Sequence, residues 1–142
     1  MDRPRPPSPS TAPPGEPPGT PGMGLAVAAE ALYLVNLMAA PGLAFLILGW
    51  LWLTRRHGAP PLARSHLAQT MAGSLWAGVL LVLANGLIIL LGGYQAAHTW
   101  VVVILYFTTC HSTLICFGAL GLARALAGQA YVYPLIGRPS KD

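Results

Sequence analysis

Hydrophobic positions along the chain are gathered into three long stretches that contain hardly any charge. They run over residues 26–53, 67–91 and 99–123, and polar connectors separate them. A helix needs about 20 apolar residues to cross the hydrocarbon core of a bilayer, and each stretch reaches that length. The pattern predicts an all-α membrane protein with three transmembrane helices, in which residues 25–136 form the membrane domain.

The first apolar stretch contains Pro41-Gly42 near its middle. A proline inside a helix removes one backbone hydrogen bond and clashes with the preceding turn, so a kink is expected there. Each half of the stretch is too short to cross a bilayer alone. We therefore expect one kinked span and not a hairpin of two helices.

The two ends of the chain have a different composition from the apolar stretches. Residues 1–24 are dominated by Pro with Gly, Ser and Thr, and nothing in them can form a core. Such a segment is typical of a disordered tail. Residues 137–142 form a short basic tail.

Small and weakly polar residues follow one face of each of the last two predicted helices. At 100° per residue, the members of each set fall within about 80° of one another. Small side chains allow membrane helices to approach closely, so the two faces are candidates for packing against each other, against a second copy or against a partner subunit. The candidates are Thr70, Ser74, Gly78 and Asn85 on the second helix, and Tyr106, Cys110, Thr113 and Gly121 on the third.

Polar side chains inside an apolar stretch are costly and deserve a functional hypothesis. His111 lies near the middle of the third stretch and Asn36 lies in the first. His111 is compatible with an imidazole hydrogen-bonded across helices, a haem ligand or a proton relay. His66 and His98 lie near opposite ends of the predicted helices, so neither is a second haem ligand at the depth of His111. We expect no metal site and no resident cofactor.

Glu30 lies near the N-terminal end of the first stretch. Its carboxylate is expected to extend to water at the membrane interface, with the lining of a polar path as the alternative. Tyr131 and Tyr133, near the C-terminus, are likewise expected at headgroup depth.

Charge and composition narrow the function further. Hydrophobic residues make up 54% of the chain and charged residues 8%, with a net charge of +4. The cations flank apolar stretches, which indicates phospholipid headgroups and not nucleic acid as their partners. The sequence has only four acidic residues and no catalytic triad, phosphate-binding loop or zinc spacing, so an enzyme is not expected.

Basic residues also predict the orientation. The first connector contains Arg55, Arg56 and Arg64, and Arg138 and Lys141 follow the third stretch, whereas the second connector contains no charge. The positive-inside rule then places the first connector and the C-terminus in the cytoplasm. Three crossings would put the Pro-rich tail outside.

The basic connector, the entry Arg64-Ser-His-Leu-Ala-Gln69 and above all the closing motif Gly128-Gln-Ala-Tyr131-Val-Tyr133-Pro134-Leu135 carry a family resemblance. Across residues 26–136 the chain resembles a widespread bacterial family of small three-to-four-span membrane proteins of unknown function. That family is distantly related to the channel subunit of the chloroplast inner-envelope protein translocon. The resemblance implies a multi-pass protein of the bacterial inner membrane.

These patterns favour a non-enzymatic membrane protein that acts as an accessory or structural subunit through helix–helix contacts, with a membrane protein or a second copy as partner. Two alternatives remain open at this point. One is a small oligomeric channel or transporter whose path uses Asn36, Asn85 and His111, and the other is a redox subunit with haem at His111.

Overall fold

The computed structural model describes residues 19–137, and within that range the regular structure is entirely α-helical. The predicted tails at residues 1–18 and 138–142 lie outside the described residues. The last residues of the predicted N-terminal tail already belong to the first helix. The helices are α1 (Met23–Met38), α2 (Leu43–Arg55), α3 (Pro61–Leu90) and α4 (Ala97–Leu126).

Two of the four helices are long and apolar enough to cross a bilayer. α3 and α4 contain 30 residues each, which corresponds to about 45 Å of helix. Their most apolar windows have mean hydropathies of 2.1 and 1.8, and only 22% and 17% of those windows are buried. A core helix of a soluble protein would be mostly buried, so this exposure fits helices that face lipid. Both helices extend beyond the predicted apolar stretches into the flanking connectors.

The first apolar stretch is not one helix but two. α1 ends at Met38 and α2 begins at Leu43. Gly42 has a φ of +88°, a left-handed conformation that glycine adopts readily. The side chain of Asn36 stabilises the turn, because its Oδ1 accepts a hydrogen bond of 3.1 Å from the Gly42 N–H. The expected kink at Pro41-Gly42 is a complete break.

After this turn α2 runs back along α1. Leu48 belongs to the same buried cluster as Ala29, Tyr33 and Leu67. In a single kinked helix, Leu48 would lie about 22 Å further along the axis than Tyr33. α1 and α2 therefore form a helical hairpin, and the expectation of one kinked span is wrong for the described residues. Neither helix is long enough to cross alone, but each buries apolar side chains against its neighbours.

The hairpin brings three helix ends together. Ala26 of α1, Leu62 of α3 and Ala125 of α4 form one small buried cluster. Just before α1, the hydroxyl of Thr20 lies 2.5 Å from the position of a β-carbon built on Gly128. The start of α1 thus lies at the same end of the molecule as the end of α4. In three crossings they would lie at opposite ends of the bundle, whereas the hairpin brings them to the same end.

We call this end the basic end, since it contains Arg55, Arg56, Arg64 and Arg124. Past α4 the chain turns at Gly128, whose φ is +66°, and folds back into the bundle. Tyr133 is only 1% exposed, and its ring lies 5.6 Å from that of Tyr33 and 6.0 Å from that of Phe117. Tyr133 is therefore a core residue, whereas the sequence predicts a side chain in contact with lipid headgroups.

Candidate functional site

A cluster of polar side chains is buried where α1, α3 and the C-terminal segment meet. Glu30 comes from α1, His66 and Gln69 from consecutive turns of α3, and Tyr133 from the segment after α4. Each of the four side chains is at most 1% exposed. Together with the backbone of Gln129 we call them the polar cluster.

The Glu30 carboxylate is the centre of the polar cluster. One oxygen, Oε1, lies 2.6 Å from His66 Nδ1, and the other accepts a hydrogen bond of 2.5 Å from the hydroxyl of Tyr133. His66 Nε2 lies 3.0 Å from the carbonyl oxygen of Gln129. The backbone N–H of Tyr133 donates to Gln69 Oε1 over 3.4 Å. Burial of these polar groups is compensated because they bind one another.

The geometry determines how many protons the Glu30–His66 pair contains. A carbonyl oxygen only accepts, so His66 Nε2 carries a proton. The bond between Nδ1 and the carboxylate needs one more, which is located either on the imidazole or on Glu30. In both arrangements the pair is neutral overall, and one proton is shared between two buried groups.

Tyr133 completes the pair as a hydrogen-bond donor. Burial, and after it the neighbouring Glu30 carboxylate, raise the pKa of the Tyr133 phenol far above its ordinary value. The phenol therefore stays protonated and donates a hydrogen bond to the Glu30 carboxylate. In this way a side chain of the C-terminal segment is held by a residue of α1.

Glycines create the space that the polar cluster occupies. A β-carbon on Gly121 would lie 2.5 Å from a carboxylate oxygen of Glu30, and one on Gly73 would lie 2.9 Å from the ring of Tyr33. On Gly118 it would lie 2.7 Å from the same ring. α3 and α4 thus present small residues where α1 places large or charged ones. Of the predicted packing candidates, Gly121 belongs to this group.

The predicted face of α3 is divided between the interior and the surface. Thr70 and Ser74 are buried, and the Thr70 hydroxyl donates to the carbonyl oxygen of His66. Gly78 is exposed, and a β-carbon there would meet nothing within 4 Å. Asn85 is exposed too, and its amide donates to the Leu81 carbonyl of its own helix.

The predicted face of α4 is divided in a similar way. The Tyr106 hydroxyl donates to the Leu80 carbonyl oxygen of α3 over 3.2 Å, so this position joins the two long helices. Thr113 is exposed and donates to the Thr109 carbonyl of its own helix. Cys110 and His111 line a cavity of about 40 Å³ between α3 and α4.

His111 is half-buried and stacks on Phe107, with ring centroids 4.9 Å apart. Its imidazole makes no hydrogen bond to another residue within the range 19–137. In that range no group of three or more His, Cys, Asp or Glu side chains is placed to hold a metal ion. Asn36 and Asn85, the other residues of the hypothetical path, do not line the cavity beside His111.

The pairing of Glu30 with His66 and Tyr133 was missed from the sequence. These partners are 36 and 103 residues away from Glu30 along the chain, so no local pattern links them. Two signals were present, namely a lone carboxylate in an apolar stretch and the closing motif that contains Tyr133. Each of these signals marks a residue as unusual, but neither indicates which residue it contacts.

Comparison with family models, with curated proteins and with solved structures gives no match to this chain. The resemblance to the bacterial family and to the translocon subunit therefore stays a prediction.

Proposed function

We propose that this chain is a non-enzymatic integral membrane protein that acts as an accessory subunit by helix–helix contact with a membrane partner. α3 and α4 cross the bilayer, while the hairpin enters from the basic end and returns to it. The positive-inside rule places the basic end in the cytoplasm, since four arginines lie there and the connector at residues 91–96 has no charge.

The observation that carries this proposal is the exposure of the outer part of α3 and α4, residues 75–113, which we call the arm. Gly78 and Asn85 lie on one face of the arm, because seven residues correspond to about two helical turns. Both are exposed, and the position of a β-carbon on Gly78 is open. A small residue beside an amide on a lipid-depth surface is typical of a helix contact site.

His111 adds a second reason for a partner at the arm. It lies halfway along α4, and in the range 19–137 its imidazole has no hydrogen-bond partner. A polar group in hydrocarbon is costly unless another group satisfies it. A donor or acceptor on a neighbouring membrane helix would remove this cost, whereas lipid tails offer none.

The polar cluster supports a structural role and not a catalytic one. Glu30 and His66 are completely buried, and each hydrogen-bonding atom already has a partner within the chain. A substrate would have to displace these partners. The cluster instead fixes the hairpin and the C-terminal segment against α3, which leaves the arm as the surface available for contact.

Two matched substitutions on α3 test the contact. Gly78→Leu fills the open face that also contains Asn85, whereas Gly86→Leu adds the same side chain about 80° further round the helix, where a β-carbon also meets nothing within 4 Å. Native gels and in-membrane crosslinking report the assembly, and thermal melting reports the fold. We expect Gly78→Leu to reduce assembly while melting stays unchanged.

Gly86→Leu should leave both the assembly and the melting unchanged. Equal assembly in the two variants and the wild type would overturn the proposal, as would a wild-type protein that migrates as a monomer without partners in native membranes. A drop in melting for Gly78→Leu alone would also contradict it, since it would place Gly78 in an internal contact.

A further inference from the structure

An open apolar groove lies between α2, α3 and the C-terminal segment. Its volume is about 460 Å³, and its walls include Trp52 of α2, Met71 and Trp76 of α3, and Ile136. The lining residues are aromatic or aliphatic throughout. The groove is separate from the polar cluster and from the cavity beside His111.

The length of the groove fits one leaflet of a bilayer. Its α3 wall extends from Ala68 to Val79, which corresponds to about 16 Å along the helix. The hydrocarbon core of a bilayer is about 30 Å thick, so one leaflet contributes about half of that. The groove begins near the basic end and runs towards the middle of the membrane, which is the path of an acyl chain.

Cations lie at the mouth of this groove. The guanidinium carbon of Arg56 lies 4.2 Å from the ring centroid of Trp52, which lines the groove. The Nε of Arg56 is buried and has no hydrogen-bond partner in the described part of the chain. Arg64 is exposed and lies one helical turn before Ala68, on the same side of α3.

These cations have no acidic partner among residues 19–137. Glu30 is the one carboxylate side chain in that range, and it is fully buried against His66 and Tyr133. A guanidinium recognises phosphate well, because its N–H groups match the oxygens in geometry and charge. The mouth of the groove therefore complements an anion, while its walls complement hydrocarbon.

We propose that the groove binds an anionic phospholipid of the cytoplasmic leaflet. One acyl chain lies along α3 between Trp52 and Trp76, and the phosphate binds Arg56 with Arg64 beside it. This assignment rests on the proposed orientation in the membrane but not on the partner contact at the arm, because Gly78 and Asn85 do not line the groove.

Tryptophan fluorescence tests the proposal directly, because Trp52 and Trp76 line the groove. The full chain, purified in a neutral detergent, is titrated with phosphatidylglycerol that carries brominated acyl chains, which quench nearby tryptophans. Phosphatidylcholine with the same chains serves as the comparison lipid. We expect saturable quenching with a preference for phosphatidylglycerol, because the choline cation of phosphatidylcholine offsets the charge of its phosphate. The preference should be about fivefold for each arginine at the headgroup.

Two pairs of variants separate this site from general lipid contact. Arg56→Gln should lower the preference about fivefold, whereas Arg55→Gln removes the same charge from an exposed neighbour and should leave it unchanged. Ala72→Phe should fill the groove and reduce quenching by both lipids without adding a tryptophan. Val101→Phe adds the same ring at an exposed position of α4 and should leave the quenching unchanged.

Equal quenching by the two lipids would overturn the proposal in favour of non-selective lipid contact. Equal losses in Arg56→Gln and Arg55→Gln would also overturn it, because they would show diffuse attraction to a charged surface. A change of oligomeric state in Ala72→Phe, with lipid quenching unaltered, would assign the groove to a second copy instead.

Discussion

The two ends of α3 and α4 differ sharply although they belong to the same pair of helices. At the basic end, Glu30, His66 and Tyr133 are buried and hydrogen-bonded to one another. In the arm, Asn85 and Thr113 are exposed. The hairpin accounts for the difference, since α1 is about 24 Å long and α3 about 45 Å, so only part of the long pair is covered.

The two ends satisfy their polar side chains in two different ways. At the basic end the partners come from distant parts of the chain, so the hydrogen bonds fix tertiary structure. In the arm, the side chains of Asn85 and Thr113 donate to carbonyls four residues earlier in their own helix. Such local bonds satisfy the donor without fixing any neighbour, and they leave the surface free for a partner.

The largest expected difference between the two ends concerns a histidine at each of them, replaced in separate variants. His66→Leu leaves the buried Glu30 carboxylate without its main partner, and loss of one member of a buried ion pair costs about 3–5 kcal/mol. His98→Leu removes an exposed hydrogen bond to the Leu91 carbonyl oxygen, which is worth about 1 kcal/mol. Unfolding of both variants in detergent gives the two values, and similar losses would show that stability is not concentrated at the basic end.

Hydropathy predicted α3 and α4 well but not the hairpin. An apolar stretch that returns and one that crosses have the same composition, because both bury their side chains away from water. What distinguishes them is the turn, where Gly42 has a positive φ and Asn36 bonds to its N–H. The sequence marks Asn36 as a polar residue in an apolar stretch, but its bond to Gly42 depends on tertiary structure, which periodicity does not report.

The polar cluster was beyond prediction for a related reason. Glu30 and Tyr133 were each assigned to the membrane interface, where an isolated carboxylate or phenol is most stable. When Glu30 and Tyr133 are hydrogen-bonded to each other, both side chains can be buried. The glycines at positions 73 and 121 leave space for them. A sequence pattern describes side chains one at a time. It therefore predicts for each the environment in which that side chain, without a partner, is most stable.

A middle-sized effect is expected from two tyrosines. Tyr133→Phe removes the hydrogen bond to the Glu30 carboxylate and should cost about 1.5–3 kcal/mol, the range for bonds to charged groups. Tyr94→Phe removes an exposed bond to Asn85 Oδ1 and should cost less than 1 kcal/mol. Limited proteolysis of the C-terminal segment provides a second measurement, because it should accelerate in Tyr133→Phe alone. Unchanged cleavage would mean that ring packing, and not the hydroxyl, holds this segment.

The smallest effect, and the one that tests the hairpin itself, concerns two asparagines. Asn36→Ala frees the Gly42 N–H just before α2, and loss of one hydrogen bond of this kind costs about 0.5–1.5 kcal/mol. Asn85→Ala removes bonds to Leu81 and Tyr94 on the arm, and a membrane hydrogen bond averages about 0.6 kcal/mol.

The two costs overlap, so a spin-label distance between positions 32 and 51, on opposite sides of the turn, is measured in both variants. Asn36→Ala should broaden this distance distribution because the turn loosens, while Asn85→Ala should leave it narrow. A distance in the wild type that matches one continuous helix, about 28 Å for 19 residues, would contradict the hairpin outright.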